Sequence, residues 1–158
     1  MKHKILLAED DAQVRQGLIL DLEQRGGYTV IAAENGKEAC AIIESEHDFM
    51  AIISDEMMPE MNGFELCRTI KAKPALSPIP FIFITARTKV NEFVAGYELG
   101  ACAYIRKPYN HAELMVQLER HIANYWRVLQ YQEELLRTQK LALLGRLTSG
   151  LAHDLKNI

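Results

Sequence analysis

Phe49-Met50-Ala51-Ile52-Ile53-Ser54-Asp55 is the stretch from which the architecture can be read. Its apolar run, 49–53, is short, does not alternate with polar residues, and stops on Ser54-Asp55. That is the pattern of a strand buried on both faces of a parallel sheet. Similar short apolar runs occur at 5–8 and 28–33 before it, and at 79–84 and 103–105 after it. Helical periodicity fills the intervals at 12–25, 36–46, 63–72 and 89–99. Gly26-Gly27 closes the first helical pattern, and Pro74, Pro78 and Pro80 break the chain before the fourth strand. Alternating strands and helices predict an open, five-stranded, doubly wound parallel α/β sheet over roughly residues 1–120.

The 158 residues suffice for one core and an appended element. Hydrophobic residues make up 49% and charged residues 25%, the balance of a soluble globular protein. A formal net charge of −3 gives no reason to expect nucleic acid as a partner. Cys40, Cys67 and Cys102 are odd in number and form no CxxC pair. They read as small buried apolar residues in a reducing compartment, not as disulfides or a zinc site. The apolar run at 5–8 meets Glu9, Asp10 and Asp11 at once, too soon for a signal peptide or a membrane span. The expectation is a cytoplasmic protein with no membrane partner.

In an open parallel sheet, side chains just past the carboxyl ends of the strands share one crevice. Glu9, Asp10 and Asp11 follow the first strand, and Asp55 ends the third. Adjacent strands would bring Asp10 and Asp55 together, and their repulsion needs a counter-charge. A hard divalent cation with oxygen ligands supplies it, and Mg²⁺ retaining several waters fits so sparse a site. Thr85 ends the fourth strand, and Lys107 ends the fifth, just before Pro108. A hydroxyl, an ammonium and Mg²⁺ around one carboxylate are what the three equatorial oxygens of a phosphoryl group require. Singly, an Asp after a strand is commonly a helix cap and a Lys before Pro is surface charge. The combination at four strand ends points to a phosphoryl site.

The chain resembles a response-regulator receiver domain from Ile5 to about Arg120. The resemblance rests on Ile5-Leu6-Leu7-Ala8-Glu9-Asp10-Asp11, on Ser54-Asp55-Glu56-Met57-Met58-Pro59-Glu60-Met61-Asn62-Gly63, on Ile84-Thr85-Ala86-Arg87 and on Tyr104-Ile105-Arg106-Lys107-Pro108. Pro59 and Gly63 stand four and eight residues after Asp55, Thr85 thirty after and Lys107 fifty-two after. The resemblance implies a flavodoxin-like sheet, Asp55 as phosphoacceptor and Asp10 as a direct Mg²⁺ ligand. It further implies that Glu9 holds the metal through water, and that the Met57 backbone carbonyl is another ligand. Thr85 and Tyr104 would be the switch pair, and Lys107 would bind the phosphoryl oxygens. Two rivals fail on single positions. A haloacid-dehalogenase-type phosphotransferase needs a second acid where Met57 stands, and a dinucleotide-binding domain needs glycines where Asp10-Asp11-Ala12-Gln13 stands.

Past Tyr109 nothing stops the last helix, since no Pro or Gly occurs before Gly145. Ile122, Tyr125, Leu129, Gln132, Leu136, Gln139 and Leu143 recur in steps of three and four, a heptad seam with two polar positions. That seam reads as a parallel homodimeric coiled coil over 121–143, or as a long amphipathic helix packing back on its own domain. Over 144–158, Leu144-Gly145-Arg146-Leu147 followed by Ala152-His153-Asp154-Leu155-Lys156-Asn157 resembles the phosphoacceptor box of histidine kinases. In that family the His attacks ATP and the next acid assists as base, roles that would fall to His153 and Asp154. The implied whole is a receiver placed ahead of a histidine kinase, with the given chain a fragment of it and ATP needed only by the longer protein. The phosphodonor would be a histidine protein or that kinase module. The rival is a stand-alone receiver whose helix is a dimerisation adaptor, with His153 inert.

Overall fold

The computed structural model describes residues 3–87 and 89–158. Five strands, β1 (Lys4–Ala8), β2 (Thr29–Ala33), β3 (Phe49–Asp55), β4 (Phe81–Thr85) and β5 (Ala103–Arg106), pair in parallel in the order β2-β1-β3-β4-β5. Between and after them run α1 (Ala12–Leu20), α2 (Gly36–Ser45), α3 (Gly63–Lys71), α4 (Val90–Glu98) and α5 (His111–Lys156). This is the expected flavodoxin-like doubly wound sheet with a long C-terminal helix.

Alternation along the strands divides the core. Ile5 and Leu7 face α1 and α5, in one cluster with Leu18, Leu114 and Leu118. Leu6 and Ala8 face α2 and α3, in a second cluster with Ile43, Leu66 and Ile70. Each fully buried aliphatic side chain contributes about 1.5–3 kcal/mol, so the central strands carry most of the stability. Side-chain caps start the helices where the sequence supplies them: Asp11 for α1, Asn35 for α2 and Asn62 for α3. The order of strands reverses between β1 and β3, and a crevice opens at their carboxyl ends.

Three sequence expectations need adjustment. β4 begins at Phe81, not Ile79, because Pro80 has no N–H for the ladder and contributes only its carbonyl, which accepts from Ile52 N at 2.8 Å. The first helix is α-helical only to Leu20 and then widens into a π-helical turn over Asp21–Arg25. The wider turn buries Leu22 and directs Asp21 to Tyr109, whose hydroxyl donates to Asp Oδ2 at 2.6 Å. The third concerns the seam. Ile122 is buried in the α1–α5 side of the core, and Tyr125 packs against both clusters. These two positions belong to the sheet domain, because three- and four-residue spacing serves a core face as well as a coil.

The chain divides after Tyr125 into two compact units. The second, Trp126–Ile158, is the remainder of α5, which runs through Gly145 and Gly150 as helix. Leu135, Leu136, Leu143, Leu144, Leu147 and Leu151 are all exposed on it. Among the described residues no helix is long and apolar enough to cross a membrane.

Candidate functional site

Asp55 closes β3 with its side chain only 12% exposed, at the mouth of the β1–β3 crevice. It is held there partly by Gly63, the first residue of α3, whose N–H donates to Glu56 O at 2.9 Å. A Cβ on Gly63 would overlap the Asp55 carbonyl oxygen, so only glycine allows the helix so close to the strand end. Asp55 Oδ1 accepts from Met57 N at 3.4 Å, and Oδ2 accepts from Lys107 Nζ at 2.9 Å. The same ammonium donates to Glu9 Oε2 at 2.8 Å. Lys107 is aimed by its own backbone, since its N–H donates to Thr85 O at 2.8 Å.

Glu9 is buried, with Oε1 accepting from Asp11 N at 3.1 Å. Burial raises its carboxyl pKa. Lys107 opposes that shift and the Asp55 charge adds to it. Burial alone would lower the Lys107 ammonium, but its hydrogen bonds to Asp55 and Glu9 outweigh burial and raise it. One carboxylate oxygen from each of Glu9, Asp10 and Asp55 lies within 4.8 Å of the others. Three hard oxygen donors that close suit a divalent cation such as Mg²⁺, with water completing its shell.

The description "Response regulator receiver domain" matches residues 5–119. The chain belongs to the response regulator receiver family. It is 37% identical over 123 residues to "Probable transcriptional regulator ycf29" of Pyropia yezoensis, covering 78% of this chain and 54% of that protein. "Response regulator MprA" of Mycolicibacterium vanbaalenii is 36% identical over 118 residues, covering 75% and 49%. The chain thus spans about half the length of the curated relatives it matches. A putative response regulator from Chloroflexus aurantiacus superposes with a TM-score of 0.73 at 31% identity, over 78% of this chain and 99% of that one. The signal receiver domain of a signal transduction histidine kinase from Syntrophus aciditrophicus gives 0.71 at 34%, over 77% and 91%. Receiver domains generally bind Mg²⁺ at an acidic pocket and take phosphate from histidine kinases or phosphotransfer proteins, and Glu9, Asp10 and Asp55 form an acidic cluster in this one.

The other sequence candidates of the receiver fall in three places. Thr85, buried at the end of β4, accepts from Arg87 N through Oγ1 at 3.1 Å. Tyr104 pairs with Phe83 across β4 and β5 and stacks on its ring at 4.9 Å, with Phe93 edge-on at 4.9 Å. Its hydroxyl donates to Glu92 O at 3.3 Å, and burial, then the nearby Glu56 charge, raises its pKa. Met57 is exposed in the loop after β3, with Arg87 Nη2 against its sulfur at 2.7 Å. His153 and Asp154 lie exposed on the second unit, where Asn157 Nδ2 is 3.1 Å from His153 Nε2.

Sequence reasoning gave no role to Glu56, Arg87 or Glu92. Arg87 Nε lies 3.4 Å from the buried Glu56 Oε2, and its Nη1 is 2.9 Å from Glu92 Oε1. The only sequence signal was an acid directly after a buried strand; its partners are too distant along the chain to be read.

Proposed function

We propose that this receiver accepts a phosphoryl group on Asp55, with Mg²⁺, as a step in a two-component phosphorelay. The observation that carries this reading is the Lys107 ammonium lying 2.9 Å from Asp55 Oδ2 and 2.8 Å from Glu9 Oε2, with Asp10 beside them. Asp10 and Asp55 would ligate Mg²⁺ directly, Glu9 through water and Met57 through its backbone carbonyl, and the bound ion would supply positive charge to the phosphoryl oxygens. In the transfer, a bond forms between an Asp55 carboxylate oxygen and phosphorus as the phosphorus–nitrogen bond of a phosphohistidine donor breaks. The electron pair of the broken bond returns to the donor imidazole. Lys107 follows the charge from the carboxylate to the phosphoryl oxygens, and the Thr85 hydroxyl donates to one of them. Tyr104 then takes the space that Thr85 leaves.

Beyond the receiver, α5 carries the signal in this reading. Its exposed leucines pair in a parallel homodimer, and His153 with Asp154 begins a histidine-kinase module of a longer cytoplasmic protein, the only part that would need ATP. A second reading is favoured by the names of the relatives, which are regulators. It keeps the receiver chemistry and makes α5 a dimerisation adaptor with His153 inert.

Incubation with acetyl phosphate and Mg²⁺ is expected to give an acid-stable, base-labile modification detected by mass spectrometry and abolished by Asp55→Asn. Lys107→Ala should leave Mg²⁺ binding largely intact and reduce the modification. Parental modification of Asp55→Asn would overturn the assignment.

A further inference from the structure

Glu56 follows Asp55 directly, yet it turns away from the crevice, and its side chain is 0% exposed. Among the described residues neither of its oxygens accepts a hydrogen bond of good geometry from the protein. A carboxylate buried in that way is costly unless charges nearby compensate it. Three groups face it. Arg87 Nε is 3.4 Å from Oε2. The Thr85 hydroxyl is the second: burial raises the Glu56 carboxyl pKa, with Glu92 and Asp55 adding to the rise, and Thr85 and Arg87 oppose it, although Thr85 closes no well-aligned hydrogen bond. The Tyr104 hydroxyl is the third.

Arg87 extends this contact to the next element. Its Nη1 donates to Glu92 Oε1 at 2.9 Å in the first turn of α4, and its backbone N–H donates to Thr85 Oγ1 at 3.1 Å. Tyr104 reaches the same turn through Glu92 O at 3.3 Å. Glu56 therefore holds the segment between β4 and α4 through Arg87, whose backbone N–H in turn engages Thr85.

We infer that Glu56 is a positioning residue that anchors Arg87, so that it stabilises the unphosphorylated arrangement of the β4–α4 segment, in which the Arg87 backbone N–H engages the Thr85 hydroxyl oxygen. This inference rests on Asp55 being the phosphoacceptor. Capture of a phosphoryl group draws the Thr85 hydroxyl towards the phosphoryl oxygens, against the hold of Arg87 on the same hydroxyl. Removing the Glu56 charge releases Arg87 and weakens that hold.

The test is titration of beryllofluoride with Mg²⁺, followed by the backbone amide signals of Thr85 and Arg87 in NMR spectra. It uses the parent chain, Glu56→Gln, Arg87→Gln and the double variant. Glu56→Gln is expected to tighten beryllofluoride binding about five- to tenfold, within the range of couplings between side chains in contact, with Mg²⁺ affinity unchanged. Glu56→Met, which leaves no buried amide to satisfy, should shift affinity in the same direction. In the Arg87→Gln background the gain from Glu56→Gln should largely vanish. A gain of equal size in both backgrounds would reveal a simple long-range charge effect and overturn the inference, as would no gain in a folded Glu56→Gln or Glu56→Met. A parent chain that binds no beryllofluoride with Mg²⁺ would instead overturn the Asp55 assignment, and this inference with it.

Discussion

Lys107 spans two carboxylates at 2.8 and 2.9 Å, and that single ammonium lets Glu9 and Asp55 remain together. Where burial acts on a group without such a partner, the outcome is different. Cys67 and Cys102 are both pushed up to about 11 by burial, with Lys71 only partly opposing. Their folded pKa lies above the unfolded value, so the stability they contribute falls as pH climbs from the ordinary thiol range towards 11, where the folded thiols ionise. At pH 8 these thiols are held almost wholly in the protonated, unreactive form. Iodoacetamide at that pH should modify Cys67 and Cys102 far more slowly in the folded chain than in urea, and equal rates would contradict the packing described. The positions of Asp55, Thr85 and Lys107 were legible because each stands just past a short apolar run, where a parallel sheet collects side chains. Glu56 was not, because its role depends on Arg87 and Glu92, which only the fold brings near.

At the scale of elements, two glycines set how closely helices approach the sheet. A Cβ on Gly63 would overlap the Asp55 carbonyl oxygen, a backbone atom that cannot give way, whereas on Gly96 it would overlap the Tyr104 hydroxyl and two of its ring carbons, so the whole ring must shift. Gly63→Ala should therefore cost about 1–3 kcal/mol in urea unfolding. Gly96→Ala should cost less, since about 1 kcal/mol of helix propensity partly offsets the displaced ring. Its signature should be the loss of the Phe93–Tyr104 edge contact in NMR spectra. Equal costs for the two substitutions would contradict these placements. The strands and most helices could be read from apolar runs and caps, but the π-helical turn at Asp21–Arg25 could not. No local residue pattern separates a widened turn from a regular one when the cause is a partner such as Tyr109, far along the chain.

For the whole molecule, the division after Tyr125 assigns two jobs to one helix. Ile122 and Tyr125 complete the receiver core, and the exposed leucines beyond Trp126 are left for the proposed homodimer. Light scattering should find a dimer for the full chain and a folded monomer for a chain ending at Tyr125. A chain ending at Arg120 should also be monomeric but less stable by about 2–5 kcal/mol, because it loses Ile122 from the core. A monomeric full chain at tens of micromolar would remove α5 as a dimer element. The central claim, that Asp55 takes the phosphoryl group, has a more direct test than substitution. Borohydride reduces an aspartyl phosphate to homoserine and spares a free carboxylate. After treatment with acetyl phosphate and Mg²⁺, reduction and peptide sequencing should find homoserine at position 55, and none when Mg²⁺ is withheld. Homoserine at position 10 or 11 instead, or at no position, would contradict the account.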